Sequence, residues 1–482
     1  MKIVKRENTD QNQEYPLRVL QFGGGNFLRA FVDWIFQQLN EQASFNGGVI
    51  VVKPTKKGDY LSLKSQEGLF HVVLDGIKEG GFSTEVSLVN VVQKIIHCYD
   101  EWGVFLETSK IPELRFIVSN TTEAGIRFND QDNFSDAPPQ EFPAKLTIWL
   151  YNRFTYFKGA AEKGCIFLPC ELVEDNGKAL RNTIVEYIEF WQLSEDFKKW
   201  ILENNFFCST LVDRIVSGYP SIRAEKIQTE IGFKDELLVA GEHYHSWVIQ
   251  EEFELTKELP FHETNLNIEL VKDLTPYREM KVRVLNGAHT AMVPIGYLMG
   301  LELVLDVMKD EDLSFFIEKL LLDEVAKTLE FSSKEISQFV NDVLNRFRNP
   351  VLRHQLISIS LNSISKFSTR LLPTLKDYLK IEGQLPRRIV FSLSALLLFY
   401  KGNVNGQKIP LKDDASVLEF FKQAWKENTD EDNMLSAFVK KVLGKNELWG
   451  EDLNKVEGLA QMVEQNLSGM MGEGIKEYMK KL

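Results

Sequence analysis

Two rhythms of apolar residues divide this chain. Up to about residue 277, short β-rich runs bounded by turn residues alternate with helical stretches, and the runs at 17–22, 48–53, 69–74, 114–119 and 164–169 read as strands. The second run follows the first at the distance expected of a strand–helix–strand unit, so a mostly parallel sheet fits. From residue 278 onward apolar residues recur at steps of three and four over 290–307, 313–329, 333–347, 351–364 and 387–400, which predicts helices and few strands. The pattern predicts an α/β fold in two parts: a Rossmann-like, mostly parallel sheet over 1–277 and a predominantly α-helical domain over 278–482.

Composition narrows the function. With 482 residues, 44% of them hydrophobic, the chain can bury a large core. A formal charge of −13, with lysines scattered among acids, offers no basic stripe for a phosphate backbone, so no nucleic-acid partner is expected. Met1 to Glu7 contains no apolar signal core, and the most apolar stretch, near 393–400, is far shorter than the roughly 20 residues that span a bilayer. A cytoplasmic protein with no membrane segment and no obligate protein partner is the expectation. Cys98, Cys165, Cys170 and Cys208 lack metal-type spacing and read as reduced and mostly buried.

The first strand runs into Gly23, Gly24, Gly25 and Asn26, which open an amphipathic segment from Phe27 to Leu39. Strand, glycine turn and helix is the dinucleotide-binding order. Gly23 and Gly25 let the backbone approach a pyrophosphate, and a helix opening near Asn26 aims free N–H groups and a positive dipole end at it. The third glycine of the usual fingerprint is missing: its place is Leu28, and Ala30 is the nearest small residue. Phe22, Gly23, Gly25, Asn26 and Phe27 are the cofactor-binding candidates, with Asn120 after the 114–119 strand, where a nicotinamide ribose lies in such folds. The second strand ends in Lys53 where an NAD enzyme usually places an acid, so residue chemistry alone leaves NAD and NADP open.

In the second half, Lys281, Asn286 and His289 stand at steps of five, three and eight, which on a helix brings a base, an amide and an imidazole roughly onto one face. That grouping suits proton transfer at a carbonyl or carbinol. Glu242, His243 and His245 are ligand types, but the sequence offers no third and fourth ligand at suitable spacing, and no metal is expected.

These segments together resemble the polyol-specific long-chain dehydrogenases, the mannitol dehydrogenase family, over nearly the full length. The likeness rests on Gln21-Phe-Gly-Gly-Gly-Asn-Phe-Leu-Arg-Ala-Phe-Val-Asp-Trp34, Ile117-Val-Ser-Asn-Thr-Thr-Glu-Ala-Gly-Ile126 and Pro169-Cys-Glu-Leu-Val-Glu-Asp-Asn-Gly177, then Phe207-Cys-Ser-Thr-Leu-Val-Asp-Arg-Ile-Val-Ser217 and Lys281 to His289. The resemblance implies zinc-independent hydride transfer between NAD(H) and the keto or hydroxy carbon of a small sugar acid. It casts Lys281 as acid/base, Asn176 and Asn286 as oxyanion-binding amides, and His289 as the group that holds a substrate hydroxyl and orients the lysine. It also favours Asp213 and Arg214 near the active centre. A sugar acid needs a cation for its carboxylate, and Arg283 and Arg370, with Arg353, His354 and Lys366, are the candidates in the helical part. A fructuronate (mannonate) or mannitol dehydrogenase of the same family is the alternative enzyme reading, and a nucleotide-binding regulator that has lost turnover is the alternative outside enzymes.

Overall fold

Six parallel strands form the centre of the first half: β1 (Leu17–Phe22), β2 (Gly48–Lys53), β3 (Val92–His97), β4 (Phe116–Ser119), β5 (Ile166–Pro169) and β6 (Phe206–Phe207), in the order β3-β2-β1-β4-β5-β6. The computed structural model describes residues 1–9, 13–78, 81–121, 125–404, 406–427 and 434–482. Thr122, Glu123 and Ala124, in the middle of the segment from Ile117 to Ile126, lie outside the described residues. The chain divides into two units, Met1–Leu274 and Thr275–Leu482.

In the first unit, Val19, Val49, Val51, Val118 and Leu168 pack on one face of the sheet, while Leu20, Phe22, Ile50, Val52, Ile117 and Phe167 pack on the other. Both faces are covered, so these strands are apolar at almost every position and show little alternation. Strand order reverses between β1 and β4, and in doubly wound sheets that switch point opens a crevice at the carboxyl ends of the strands. Gly23 and Asn120 follow β1 and β4 directly, which puts them at that crevice.

Two strands depart from the pattern expected of them. The run at 69–74 becomes Phe70–Lys78, outside the parallel sheet; it pairs antiparallel with Gly81–Val89 and parallel with Val239–Glu242 in a four-stranded sheet. β3 is an edge strand whose Gln93, Lys94 and Ile95 are only half buried, so its apolar signal is diluted.

The second unit is built on one large apolar core. Helix Arg387–Phe399 is buried nearly all round, with Leu393, Ala395 and Leu397 fully inside. Helix Ser333–Phe347 starts with a capping box in which Ser332 and Glu335 satisfy each other's backbone N–H. The helix expected over 290–307 breaks: Gly287–Leu298 ends, Gly300 adopts φ +82°, and a new helix, Val304–Lys309, follows. The helix expected over 351–364 is replaced by two shorter ones, Leu356–Ile359 and Ser363–Arg370. All four cysteines are buried free thiols. Among the described residues no helix is long and apolar enough to cross a membrane.

Candidate active site

The three glycines after β1 serve three separate needs. Gly23 has φ +114° and donates its N–H to the Val52 carbonyl at 2.9 Å; a Cβ there would come within 3.0 Å of Leu28 Cδ1 and 3.4 Å of the Asn120 carbonyl. Leu28, in the place of the missing third glycine, thus closes the helix onto the strand by packing over Gly23. A Cβ at Gly24 would meet the Tyr60 ring and Val51 at 3.0 Å, and the Gly24 N–H donates to the Tyr60 hydroxyl at 2.7 Å. Nothing would lie within 4 Å of a Cβ at Gly25, so the turn is open on that side. Gly25 is also the N-cap and supplies no side-chain cap, so the first-turn N–H groups and the positive helix end suit an outside acceptor. An open, uncapped helix start at the switch point of a parallel sheet fits a dinucleotide pyrophosphate.

The other cofactor candidates differ in what they can offer. Phe22 is fully buried between Phe105 and Phe142, so only its backbone is available, and its carbonyl accepts from Asn120 N at 3.3 Å. Asn26 is exposed and its Oδ1 accepts from Arg29 at 2.7 Å, while half-buried Phe27 stacks on Phe31. Asn120 donates from Nδ2 to the Cys170 carbonyl at 3.0 Å, tying the ends of β1, β4 and β5 together. Lys53 is 3% exposed and its ammonium donates to the carbonyls of Thr55 and of Lys57, the latter at 2.7 Å. It is turned back into its own loop, which removes it as the cation that would meet an NADP phosphate. Tyr60, which fixes Gly24, was not visible in the sequence: it lies seven residues past β2 in a loop with no motif of its own.

Asn176 opens helix Asn176–Phe190 and is 1% exposed. Its Nδ2 donates to the carbonyls of Pro169 and Glu171 at 3.0 Å and of Thr210 at 3.1 Å, and its Oδ1 accepts from Thr210 N at 2.8 Å. This amide is committed to backbone, sewing the end of β5 to strand Thr210–Asp213. Arg214 is committed in the same way: its three nitrogens donate to the carbonyls of Tyr244, Ala30 and His243, and it lies 4.1 Å over the Trp34 ring. Burial lowers its guanidinium to about 9, against an opposing pull from Glu242. Asp213 is half-buried at the end of its strand, opposite Ser246.

The residues that suggested a metal are taken up by protein groups: Glu242 accepts from Ile215 N at 2.6 Å, and His243 Nε2 sits 2.9 Å from Ser83 Oγ. His245 Nδ1 faces the His243 carbonyl at 3.2 Å, and Nε2 faces the Asn267 N–H at 3.0 Å, an arrangement that requires the neutral ring with its proton on Nδ1. Burial first, and Arg214 second, push this imidazole down to about 3. The unfolded chain binds that proton near pH 6.5, so the stability conferred by the neutral ring is complete above that pH and is lost as pH falls toward 3. Urea unfolding of the first unit should lose roughly 1.4 kcal/mol per pH unit from this group between about pH 6 and 4. A His245→Asn variant should show a slope flatter by one proton; equal slopes in the two proteins would sink the assignment.

In the second unit, Thr275–Met280, Lys281–Asn286 and Gly287–Leu298 run on as one helix, and Lys281–Asn286 is a π turn. In a regular α-helix, five steps rotate a side chain roughly 140° away from its start. A π turn closes i→i+5 hydrogen bonds and brings residue i+5 back over residue i, so Asn286 returns to the side of Lys281, with His289 one turn on. Lys281 and Asn286 are half-buried and His289 is 8% exposed. The Asn286 carbonyl accepts from Thr290 Oγ1 at 2.9 Å and Arg370 Nη1 at 3.4 Å. His289 Nε2 is buried without a hydrogen-bond partner among the described residues. Burial, with His354, Arg346, Arg370 and Lys366 adding to it, holds this imidazole well below its usual pKa and therefore neutral.

Residues 17–262 match the mannitol dehydrogenase Rossmann domain and residues 273–471 the mannitol dehydrogenase C-terminal domain. The altronate oxidoreductase of Bacillus subtilis (strain 168) is 45% identical over 96% of this chain and 94% of its own length. Among solved structures, a substrate-free D-sorbitol dehydrogenase superposes with a TM-score of 0.80 at 20% identity, covering 99% of this chain and all of that one. The Pseudomonas fluorescens mannitol 2-dehydrogenase in ternary complex with NAD and D-mannitol gives 0.68 at 19%, covering 100% and 99%; at such identities these two speak for the fold alone. With both halves matched in order and a relative this similar along almost its whole length, the chain belongs to the mannitol dehydrogenase family of oxidoreductases.

Proposed function

We propose that this protein is a cytoplasmic, NAD-linked reductase that converts tagaturonate to altronate, reversibly, in hexuronate breakdown. The observation that carries the chemistry is the π turn that returns Asn286 to the side of Lys281, with the neutral His289 one turn on. The substrate is supported by the altronate oxidoreductase at 45% identity, and NAD over NADP by the inward turn of Lys53.

NADH, when bound, supplies the hydride. A carbonyl carbon that receives hydride leaves an alkoxide on its oxygen, which needs a proton and hydrogen-bond donors. Lys281 gives that proton in reduction and removes it in oxidation; the Asn286 amide donates to the same oxygen; His289 holds a neighbouring hydroxyl. The turn from Gly23 to Asn26 would hold the pyrophosphate through its N–H groups, and Asn120 would be the contact for the nicotinamide ribose. Within the first unit, Asn176 holds the end of β5 in place, and Arg214 ties the Ala30 carbonyl to those of His243 and Tyr244.

The test follows absorbance of NADH and NADPH with tagaturonate, fructuronate and fructose in parallel. Oxidation of NADH with tagaturonate well above the others is the expected result. Preference for fructuronate or fructose overturns the substrate, preference for NADPH overturns the cofactor, and silence throughout favours a nucleotide-binding regulator.

A further inference from the structure

Several cations of the second unit could meet a substrate carboxylate, and the structure separates them. Arg283 is 9% exposed and already paired, with Asp377 at 2.8 Å and Glu279 at 3.5 Å. Arg353 is exposed. Lys366 and Arg370 are half-buried, one helical turn apart on Ser363–Arg370, and among the described residues neither has an acidic side chain within ion-pair distance. Arg370 rests its Nη1 on the Asn286 carbonyl at 3.4 Å and on Thr290 Oγ1 at 3.3 Å, while its Nε and Nη2 find no acceptor among the described residues. Lys366 donates to the Ile359 carbonyl at 2.7 Å, and its ammonium meets no other acceptor among the described residues.

Arg370 touches the residues three before and one after His289, and the charges of both cations act on the His289 ring. The His354 ring lies 5.1 Å from the His289 ring, the Phe347 ring lies 4.6 Å from it, and Arg346 is 5% exposed on the same helix as Phe347. Burial lowers the basicity of Arg370, Lys366 and His354 alike, and Arg370 lowers that of Lys366 further. Like charges gathered in a poorly solvated place repel, and among the described residues only Asp413 offsets them at Lys366. Asp413 is itself bound by the Tyr400 hydroxyl and by Asp414 N. Unused guanidinium donors, an ammonium offset only by an acid already bound elsewhere and, among the described residues, an imidazole nitrogen with no partner describe an anion seat next to a hydroxyl-binding group.

We infer that Arg370 and Lys366 seat the carboxylate of the substrate, with Arg370 taking it through Nε and Nη2, and that this pair is what selects a sugar acid over a neutral sugar. The inference rests on the sugar-acid reading above. Arg370 then acts in two directions, because Nη1 supports the carbonyl of Asn286 while the other two nitrogens bind the anion. Carboxylate binding is thereby linked to the position of the oxyanion-binding turn.

The test compares tagaturonate with tagatose, the same keto sugar bearing a hydroxymethyl group where tagaturonate has its carboxylate. Arg370→Met should raise KM for tagaturonate roughly 30-fold and Lys366→Met roughly 10-fold, the loss expected of a charge-assisted pair. In Lys366→Met, which leaves the Asn286 support intact, the loss should fall on KM for tagaturonate rather than on kcat, and the loss in kcat/KM should be several-fold smaller for tagatose than for tagaturonate. Arg370→Lys should recover part of the loss, and Arg353→Met should match wild type. Equal losses on both substrates, or an unchanged KM for tagaturonate in both methionine variants, overturn the seat. A wild type that prefers fructuronate overturns the proposed substrate instead, and the seat is then read in the same way from fructuronate against fructose. If no keto sugar turns over, thermal shift decides: altronate, but not altritol, should raise the melting temperature of wild type and fail to do so in Arg370→Met, and no shift in wild type overturns the seat.

Discussion

Lys281→Ala should lower kcat for tagaturonate reduction by about 1,000-fold, the scale of a lost general acid in a carbonyl reduction, while NADH affinity stays within about twofold of wild type. Lys281 is half-buried on the side of its helix that the π turn re-aims, and the apolar anchors of that helix are Val284, Ala288, Ala291 and Met292. Removing the lysine therefore takes away an ammonium and little packing. The glycine turn belongs to the other unit and keeps its uncapped N–H groups. Small primary amines added to the variant should restore part of the rate, because the missing function is a proton donor of fitting size. Single-turnover oxidation of NADH, with NADH binding followed by fluorescence, reads both quantities. A drop of less than about tenfold in kcat would sink the acid/base role, and a matching loss of NADH binding would recast Lys281 as a structural residue.

Much of this site was legible in the sequence, but not for the reason first visible. Steps of five, three and eight suggest a common helical face, yet on a regular α-helix residues 281 and 286 stand roughly 140° apart. Only the wide turn over Lys281–Asn286 corrects this, and nothing in Lys-Val-Arg-Val-Leu-Asn announces a π turn. β1, β2, β4 and β5 were legible because burial on both faces makes them mostly apolar, whereas β3 hid behind Gln93 and Lys94 at the edge of the sheet. Lys53 illustrates the opposite failure. Its position after β2 suggested a phosphate contact, but where a long flexible side chain turns is decided by carbonyls two and four residues on, which no spacing rule encodes.

Asn176 is the position where resemblance and geometry part, and its replacement should be the most damaging to stability. Asn176→Ala strands the Thr210 N–H and takes a donor from three carbonyls in a place that is 1% exposed. An unsatisfied buried polar group costs about 1–3 kcal/mol, so a loss of about 3 kcal/mol or more is expected once the carbonyls are included. No relaxation is at hand, since a Cβ on the adjoining Gly177 would already lie 2.6 Å from the backbone of Phe207, Cys208 and Ser209, which pins the start of the helix against β6. Urea unfolding should show the first unit destabilised by that amount, with weaker NADH binding because the ends of β4 and β5 are tied through Asn120 to Cys170. Asn176→Asp separates the two readings: it keeps the acceptor for Thr210 N but replaces the donor with a second carboxylate oxygen facing three carbonyls. A positioning amide predicts that the aspartate variant is also destabilised and that kcat falls in proportion to lost cofactor binding. If either variant folds with wild-type stability and binds NADH normally while kcat alone collapses, Asn176 acts on the oxyanion directly, and its bonds to the backbone must open during turnover.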